Sequence, residues 1–108
     1  MNRDFLEMIK TRRSTRSFKP DSVPEDLLDA VLEAGTYAPT GMNRQSPVII
    51  AVSDKKYREK LSKLNAAIMG VDKDPYYGAP TVVLVLADPS ANTFVEDGSC
   101  VLENLMPV

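Results

Sequence analysis

Thr81-Val82-Val83-Leu84-Val85-Leu86-Ala87 forms one of the two longest apolar runs in the chain. Leucine and β-branched residues follow one another here without polar alternation, which is typical of a strand buried on both faces. Val48 to Val52 shows the same pattern. Both runs are far shorter than the roughly 20 residues that cross a bilayer. They therefore predict two neighbouring central strands of a sheet and no membrane span.

Amphipathic segments surround the two predicted strands. Apolar residues recur at helical spacing near residues 3–12, 25–35, 55–68 and 94–106. Asn2 and Asp54 stand where the N-caps of the first and third helices are expected, and Gly35 offers a stop for the second. We therefore expect an α+β fold, with a central sheet flanked by helices and a single domain over residues 1–108.

Composition restricts the classes of function. The net charge of −2 at pH 7 provides no global field for a nucleic acid or an anionic membrane. There is no histidine, and Cys100 is the only cysteine, so a catalytic Cys-His or Ser-His pair is excluded and the usual zinc ligands are missing. We expect Cys100 to be a packing residue. These features predict a cytoplasmic protein without a metal site or a catalytic side chain, in which a bound cofactor performs the chemistry.

Three arginines and two hydroxyls lie within five residues, in the segment Arg12-Arg13-Ser14-Thr15-Arg16 at a predicted helix end. Guanidinium groups give planar, charge-assisted hydrogen bonds that suit phosphate oxygens, and a serine hydroxyl adds a shorter donor. The pattern therefore favours a phosphomonoester site. The same arginines would also suit the negative end of the first helix or a solvated surface patch, and this segment alone does not separate these interpretations.

A second candidate is the loop from Ala38 to Pro47, which two prolines and a glycine make unfavourable for helix or strand. Asn43 and Gln45 each offer a donor and an acceptor, so they can recognise the edge of a heterocycle. An ordinary connection in which the amides bond their own backbone is the simpler interpretation of the loop by itself.

Asp97 and Asn104 are seven residues apart and therefore share one face of the last predicted helix. One polar face is normal for an amphipathic helix, so we expect both side chains to point to solvent. The alternative is a pair of polar contacts at a subunit or ligand boundary.

The order of these segments resembles the FMN-dependent nitroreductase family. The resemblance rests on Arg12 to Phe18, then on Ala38 to Pro47 about 20 residues further along, and more weakly on Asp97 to Met106. It implies a nitroreductase-like fold with FMN as cofactor and NADH or NADPH as transient electron donor. It also implies a homodimer with a shared flavin site, which reduces a small-molecule acceptor such as a nitroaromatic, a quinone or an enone.

The family's functional positions can be assigned to this chain residue by residue. The resemblance implies that the FMN phosphate and neighbouring oxygens are held by Arg12, Arg13, Ser14 and Arg16. It implies that a loop from the partner subunit approaches the flavin with Pro39, Thr40, Gly41, Asn43 and Gln45.

The chain departs from the family pattern in two places. Ser46, Pro47 and Val48 follow Gln45, where the family usually has a proline and then an aromatic residue. Family members also continue beyond Met106 with further strands, helices and flavin contacts, so we expect this domain to be incomplete at its C-terminus. Two other functions stay compatible with the sequence, namely a non-catalytic dimeric interaction module and a binder of phosphate-bearing small molecules.

Overall fold

The first and third helices begin where their predicted caps stand. In this computed structural model, which describes residues 1–107, α1 spans Arg3–Thr11 and Asn2 Oδ1 accepts a hydrogen bond from Phe5 N at 3.1 Å. Asp54 Oδ1 accepts from Lys56 N at 2.9 Å at the start of α3, which spans Lys55–Met69. Both predicted N-caps are confirmed, and each satisfies backbone N–H groups that the first turn of a helix leaves unpaired.

Residues 1–107 contain four α-helices, one short 3-10 helix and two strands. Besides α1 and α3, the elements are α2 (Glu25–Thr36), the 3-10 helix Gly41–Asn43, β1 (Val48–Val52), β2 (Val82–Leu86) and α4 (Phe94–Leu105). Each lies within one residue of its predicted bounds at either end, apart from the 3-10 helix, which lies in the predicted loop. Within the described part of the chain, none of the helices is both long and apolar enough to span a membrane.

The sheet joins β1 to β2. The hydroxyls of Ser53 and Thr81 are 3.1 Å apart, so the end of β1 meets the start of β2, as in an antiparallel pair. The expected burial on both faces is wrong, because Val48 is 54% exposed and Leu86 is 53% exposed. Among residues 1–107 each strand has one neighbouring strand, so neither lies centrally in a larger sheet.

The chain divides into two compact units. The first contains Met1–Ser14, Glu25–Ile49 and the residues from Val85 onward, and the second contains Thr15–Pro24 and Ile50–Leu84. Each unit has its own network of contacts. The expectation of a single domain stays a prediction.

In the first unit, α2 packs against α4 at Gly35. The helix ends one residue beyond this glycine, at Thr36, and Gly35 lacks the left-handed φ of a terminating glycine, so the expected stop role of Gly35 is wrong. A Cβ added here would lie 2.7 Å from Ile49 Cδ1 and 2.8 Å from Leu105 Cδ2, and Gly35 is buried. The glycine therefore serves close packing rather than helix termination.

In the second unit, a buried arginine organises the loop that follows α3. Arg58 is 5% exposed, and its guanidinium donates to Asp74 Oδ2 at 2.5 Å and to Ala79 O at 2.8 Å. Asp74 also accepts from Ser62 Oγ at 2.9 Å and from two backbone N–H groups. The hydrogen bond from Arg58 is the main cause that holds the pKa of Asp74 far below its ordinary value of 3.8, although burial acts in the opposite direction.

Candidate functional site

The predicted flavin loop is a tight structure with left-handed backbone. Met42, Asn43 and Gln45 have φ angles of 55°, 54° and 54°. Asparagine tolerates this region, whereas an ordinary side chain such as methionine or glutamine is strained in it by about 1–3 kcal/mol. Such a loop keeps its shape only when surrounding contacts hold it.

The main contact that holds the loop comes from α4. Asp97 is 3% exposed, and its Oδ1 accepts a hydrogen bond from Gly41 N at 2.9 Å. Its Oδ2 accepts a hydrogen bond from Thr93 Oγ1 at 3.0 Å. Both carboxylate oxygens are therefore engaged, as a buried charge requires.

Gly41 is a glycine because of the space around it. A Cβ at this position would overlap Thr93 Oγ1 and would lie 3.0 Å from Thr93 Cγ2. The backbone of the loop therefore approaches α4 as closely as the chain allows, at the point where Asp97 binds it.

Hydrogen bonds inside the loop complete its structure, and two of them join backbone groups, from Asn43 N to Thr40 O at 3.0 Å and from Arg44 N to Gly41 O at 3.3 Å. Gln45 N donates to Thr40 Oγ1 at 3.0 Å, and Gln45 Nε2 donates to Asn43 Oδ1 at 3.1 Å. The Asn43 and Gln45 side chains are exposed, so their polar groups remain accessible to a ligand. Ser46 Oγ is buried and has no hydrogen-bond partner among residues 1–107, which makes it the unsatisfied polar atom of this region.

A cavity of about 390 Å³ lies beside the loop in the same unit. Its polar lining includes Thr40 and Gln45, and its apolar lining includes Ile49 and Val101. An apolar cleft with a few polar groups at its edge is the usual character of a small-molecule site.

The predicted phosphate segment follows α1. Arg12 is the C-cap residue of this helix, and one guanidinium nitrogen of Arg13 donates to Lys10 O and to Arg12 O, both at 2.9 Å. Arg13 thus caps the carbonyl end of α1, which is one of the roles that the sequence left open. Arg12, Ser14 and Arg16 are exposed.

Of the two sets of flavin-site residues predicted from the sequence, the structure therefore brings one together. Thr40, Gly41, Asn43 and Gln45 form a single hydrogen-bonded loop with Pro39 at its entrance. Arg12, Arg13 and Ser14 lie at the end of α1 in the same unit, and Arg16 belongs to the other unit.

The expectation that Asp97 and Asn104 point to solvent is wrong. Asp97 binds the loop, and Asn104 is half-buried and donates from Nδ2 to Ala34 O at 3.1 Å. Their spacing placed them correctly on one face of α4, but that face packs against the rest of the unit. The available signal was an acidic residue in the first turn of α4.

Known proteins are similar to this chain in both sequence and fold. The model of the nitroreductase family matches residues 9–102. A protein from Methanothermobacter thermautotrophicus, provisionally named an NADH dehydrogenase/NAD(P)H nitroreductase, is 32% identical over 95% of this chain and 53% of its own length. An FMN reductase [NAD(P)H] from Bacillus subtilis is 30% identical over 68% of this chain and 30% of its own length.

Solved structures agree with this match. A nitroreductase with bound FMN from Bacteroides fragilis superposes with a TM-score of 0.84 at 33% identity, over 94% of this chain and 62% of that one. A nitroreductase with bound FMN from Desulfitobacterium hafniense gives a TM-score of 0.85 at 26% identity, over 99% of this chain and 64% of that one. The chain spans about half the length of the archaeal relative. Since the family model takes in most of its residues, the protein belongs to the nitroreductase family.

Proposed function

We propose that this chain is the FMN-binding part of an NAD(P)H oxidoreductase of nitroreductase type. Membership of the family supports the proposal, as do the FMN-bound nitroreductases that share its fold. The observation that carries it is the loop at Gly41, which a buried carboxylate holds in a strained shape with its polar side chains exposed. FMN, when bound, supplies the hydride and electron transfer that the side chains of this protein cannot perform.

The phosphate of FMN is assigned to Arg12, Arg13, Ser14 and Arg16. The donor set fits the group, because guanidinium and hydroxyl donors suit a dianionic phosphate. The net charge of the chain is −2, so attraction of an anion depends on this local cluster. The assignment of Arg16 rests on the sequence resemblance.

The ring of FMN is assigned to the loop residues Pro39, Thr40, Gly41, Asn43 and Gln45. The Asn43 and Gln45 amides are already oriented by their mutual hydrogen bond, so little side-chain freedom would be lost on binding.

The wider reaction is part of the same proposal. NADH or NADPH would be the transient electron donor, and a nitroaromatic, a quinone or a similar small molecule would be the acceptor. We further propose a cytoplasmic homodimer in which the loop of one subunit faces the flavin of the other.

The phosphate assignment is tested with Arg16→Ala. We expect the variant to lose about 1.5–3 kcal/mol of FMN binding free energy, the scale of a hydrogen bond to a charged group. Riboflavin has the same ring system without the phosphate, so its affinity should change much less. Fluorescence titrations of both ligands against wild type and variant measure the difference.

Arg3→Ala is the matched control, because Arg3 is an exposed arginine on α1 outside the motif. It should leave the affinity for both ligands unchanged. An Arg16→Ala protein that is folded and binds FMN like the wild type, or that loses both ligands equally, would show that the cluster is a surface patch.

A further inference from the structure

A buried carboxylate bonded to a loop backbone needs an explanation beyond helix structure. Asp97 lies in the first turn of α4, where an exposed acid would already favour the positive end of the helix. Its burial to 3% exposure adds a desolvation cost that an exposed acid would not have. A charge-assisted hydrogen bond from Gly41 N, which is 56 residues away in the sequence, offsets this cost.

The loop residues that follow Gly41 require such an anchor. Three of the next four residues have left-handed φ angles, and none of the three is glycine. Released from Asp97, the loop would relax toward ordinary backbone angles, because Met42 and Gln45 are strained in their present ones. The hydrogen bonds of Gln45 to Thr40 and Asn43 are local and would move with the loop.

Thr93 makes the anchor specific. Its hydroxyl donates to Asp97 Oδ2, and the same side chain fills the space in which a Cβ at position 41 would lie. Carboxylate, hydroxyl and glycine therefore fix both the direction and the distance at which the loop meets α4.

We propose that Asp97, supported by Thr93, is the positioning residue that sets the shape of the flavin-facing loop. Asp97 is buried and acts through Gly41, so it is not proposed to touch the ligand. The link to flavin rests on the function proposed above, whereas the control of loop shape does not.

The experiment compares amide hydrogen exchange of residues 40–46 in the full chain without ligand. Asp97→Ala removes the acceptor, and exchange at Gly41 should rise by about tenfold or more, the fold-change of losing one charge-assisted hydrogen bond. Asp97→Asn keeps an amide oxygen in the same place, so it should restore most of the protection. Thr93→Val removes only the supporting hydroxyl and should give an intermediate increase in a protein with little change in packing.

Asn104→Ala is the matched control, since it removes one hydrogen bond from α4 to the backbone of α2 instead of one to the loop. It should lower the melting temperature without raising exchange in residues 40–46. If Asp97→Ala leaves that exchange unchanged, or if Asn104→Ala raises it equally, the positioning role is overturned. If Asp97→Ala does not fold, Thr93→Val decides by the same criterion.

FMN titration of the same variants separates the two proposals. Asp97→Ala should weaken FMN binding by about tenfold and Asp97→Asn should recover it. Increased exchange in a protein series that never binds FMN would support the positioning role and contradict the flavin function. Unchanged FMN affinity in an Asp97→Ala protein with a loosened loop would contradict the flavin-facing assignment of this loop.

Discussion

Glycine usually occupies left-handed positions of a backbone, but in the loop at Gly41 these positions are occupied by other residues. The glycine is required by the space that Thr93 occupies, and the left-handed φ angles fall on Met42, Asn43 and Gln45. Strain of this kind, about 1–3 kcal/mol at each ordinary residue, persists only where other contacts determine the structure. A buried aspartate is suited to this task, since it accepts from the loop and from its own helix at once.

Asp74, in the second unit, lies in an environment that favours the charged form of its carboxyl. The pKa of its carboxyl is lowered first by the hydrogen bond from Arg58 and further by N–H groups of Tyr76 and Gly78. The unfolded chain therefore binds a proton at this site more readily than the folded chain does. The stabilisation is complete above the ordinary pKa of 3.8 and is lost as the pH falls below it toward the pKa of the folded state.

Asp74→Asn should make this visible as a change in acid stability. Near neutral pH we expect the variant to lose about 1.5–3 kcal/mol of unfolding free energy, because Arg58 stays buried with a weaker partner. Below pH 3.8 the difference from wild type should shrink, since the unfolded wild-type chain then binds a proton at Asp74 that must be released on folding. Urea unfolding across this pH range measures both effects.

Asp72→Asn provides the comparison for this series, because Asp72 is an exposed acid in the same loop. It should cost less than about 0.5 kcal/mol, as surface substitutions usually do. A constant difference between wild type and Asp74→Asn down to low pH would contradict the proposed role of the Asp74 charge.

Helix α4 is the element that connects the functional loop to the core of the first unit. Asp97 binds Gly41 near its start, Val101 is buried in its middle, and Asn104 binds the backbone of α2 near its end. Leu105 packs over Gly35, so α2 and α4 approach closely at one end. A change in this helix packing is therefore expected to reach the loop as well as the stability of the fold.

Gly35→Val tests the close approach of the two helices. Overpacking a core position costs about 1–3 kcal/mol, and the branched side chain would meet Ile49 and Leu105. Ala30→Val introduces the same residue at an exposed position of α2, where helix propensity alone should cost less than about 0.7 kcal/mol. Urea unfolding of both variants gives the comparison, and equal losses would refute the packing explanation of Gly35.

Periodicity predicted the helices and strands because each depends on a local pattern of apolar residues. It could not predict which polar residues become buried, since burial is decided by contacts between segments distant in sequence. Arg58 resembles any other charged residue of α3 until Asp74 is placed opposite it. Asp97 likewise has an ordinary sequence context, and its role emerges only when Gly41 meets α4. The order of the motifs depends on sequence alone, so it predicted the family without knowledge of the fold.

At the scale of the whole molecule, large apolar side chains are exposed on α1, such as Phe5 and Ile9, and on α4, such as Val95 and Leu102. Uncovered apolar area of this extent favours association.

A second copy of the chain is the cover that we expect, because the proposed flavin site needs a loop from a partner subunit. Val95, Leu102 and Met106 are 59%, 42% and 53% exposed and recur along one side of α4.

Leu102→Glu would place a charge within such a contact, so sedimentation should show a dimer for wild type and a monomer for this variant at micromolar concentration. Glu103→Gln, at the adjacent exposed position, should stay dimeric. A folded wild-type monomer at this concentration, or a Leu102→Glu dimer as stable as wild type, would contradict the use of this face. Because the buried face of the same helix holds Asp97, loss of the dimer should leave the protection of residues 40–46 unchanged while FMN affinity falls, which distinguishes a shared flavin site from a general loss of structure.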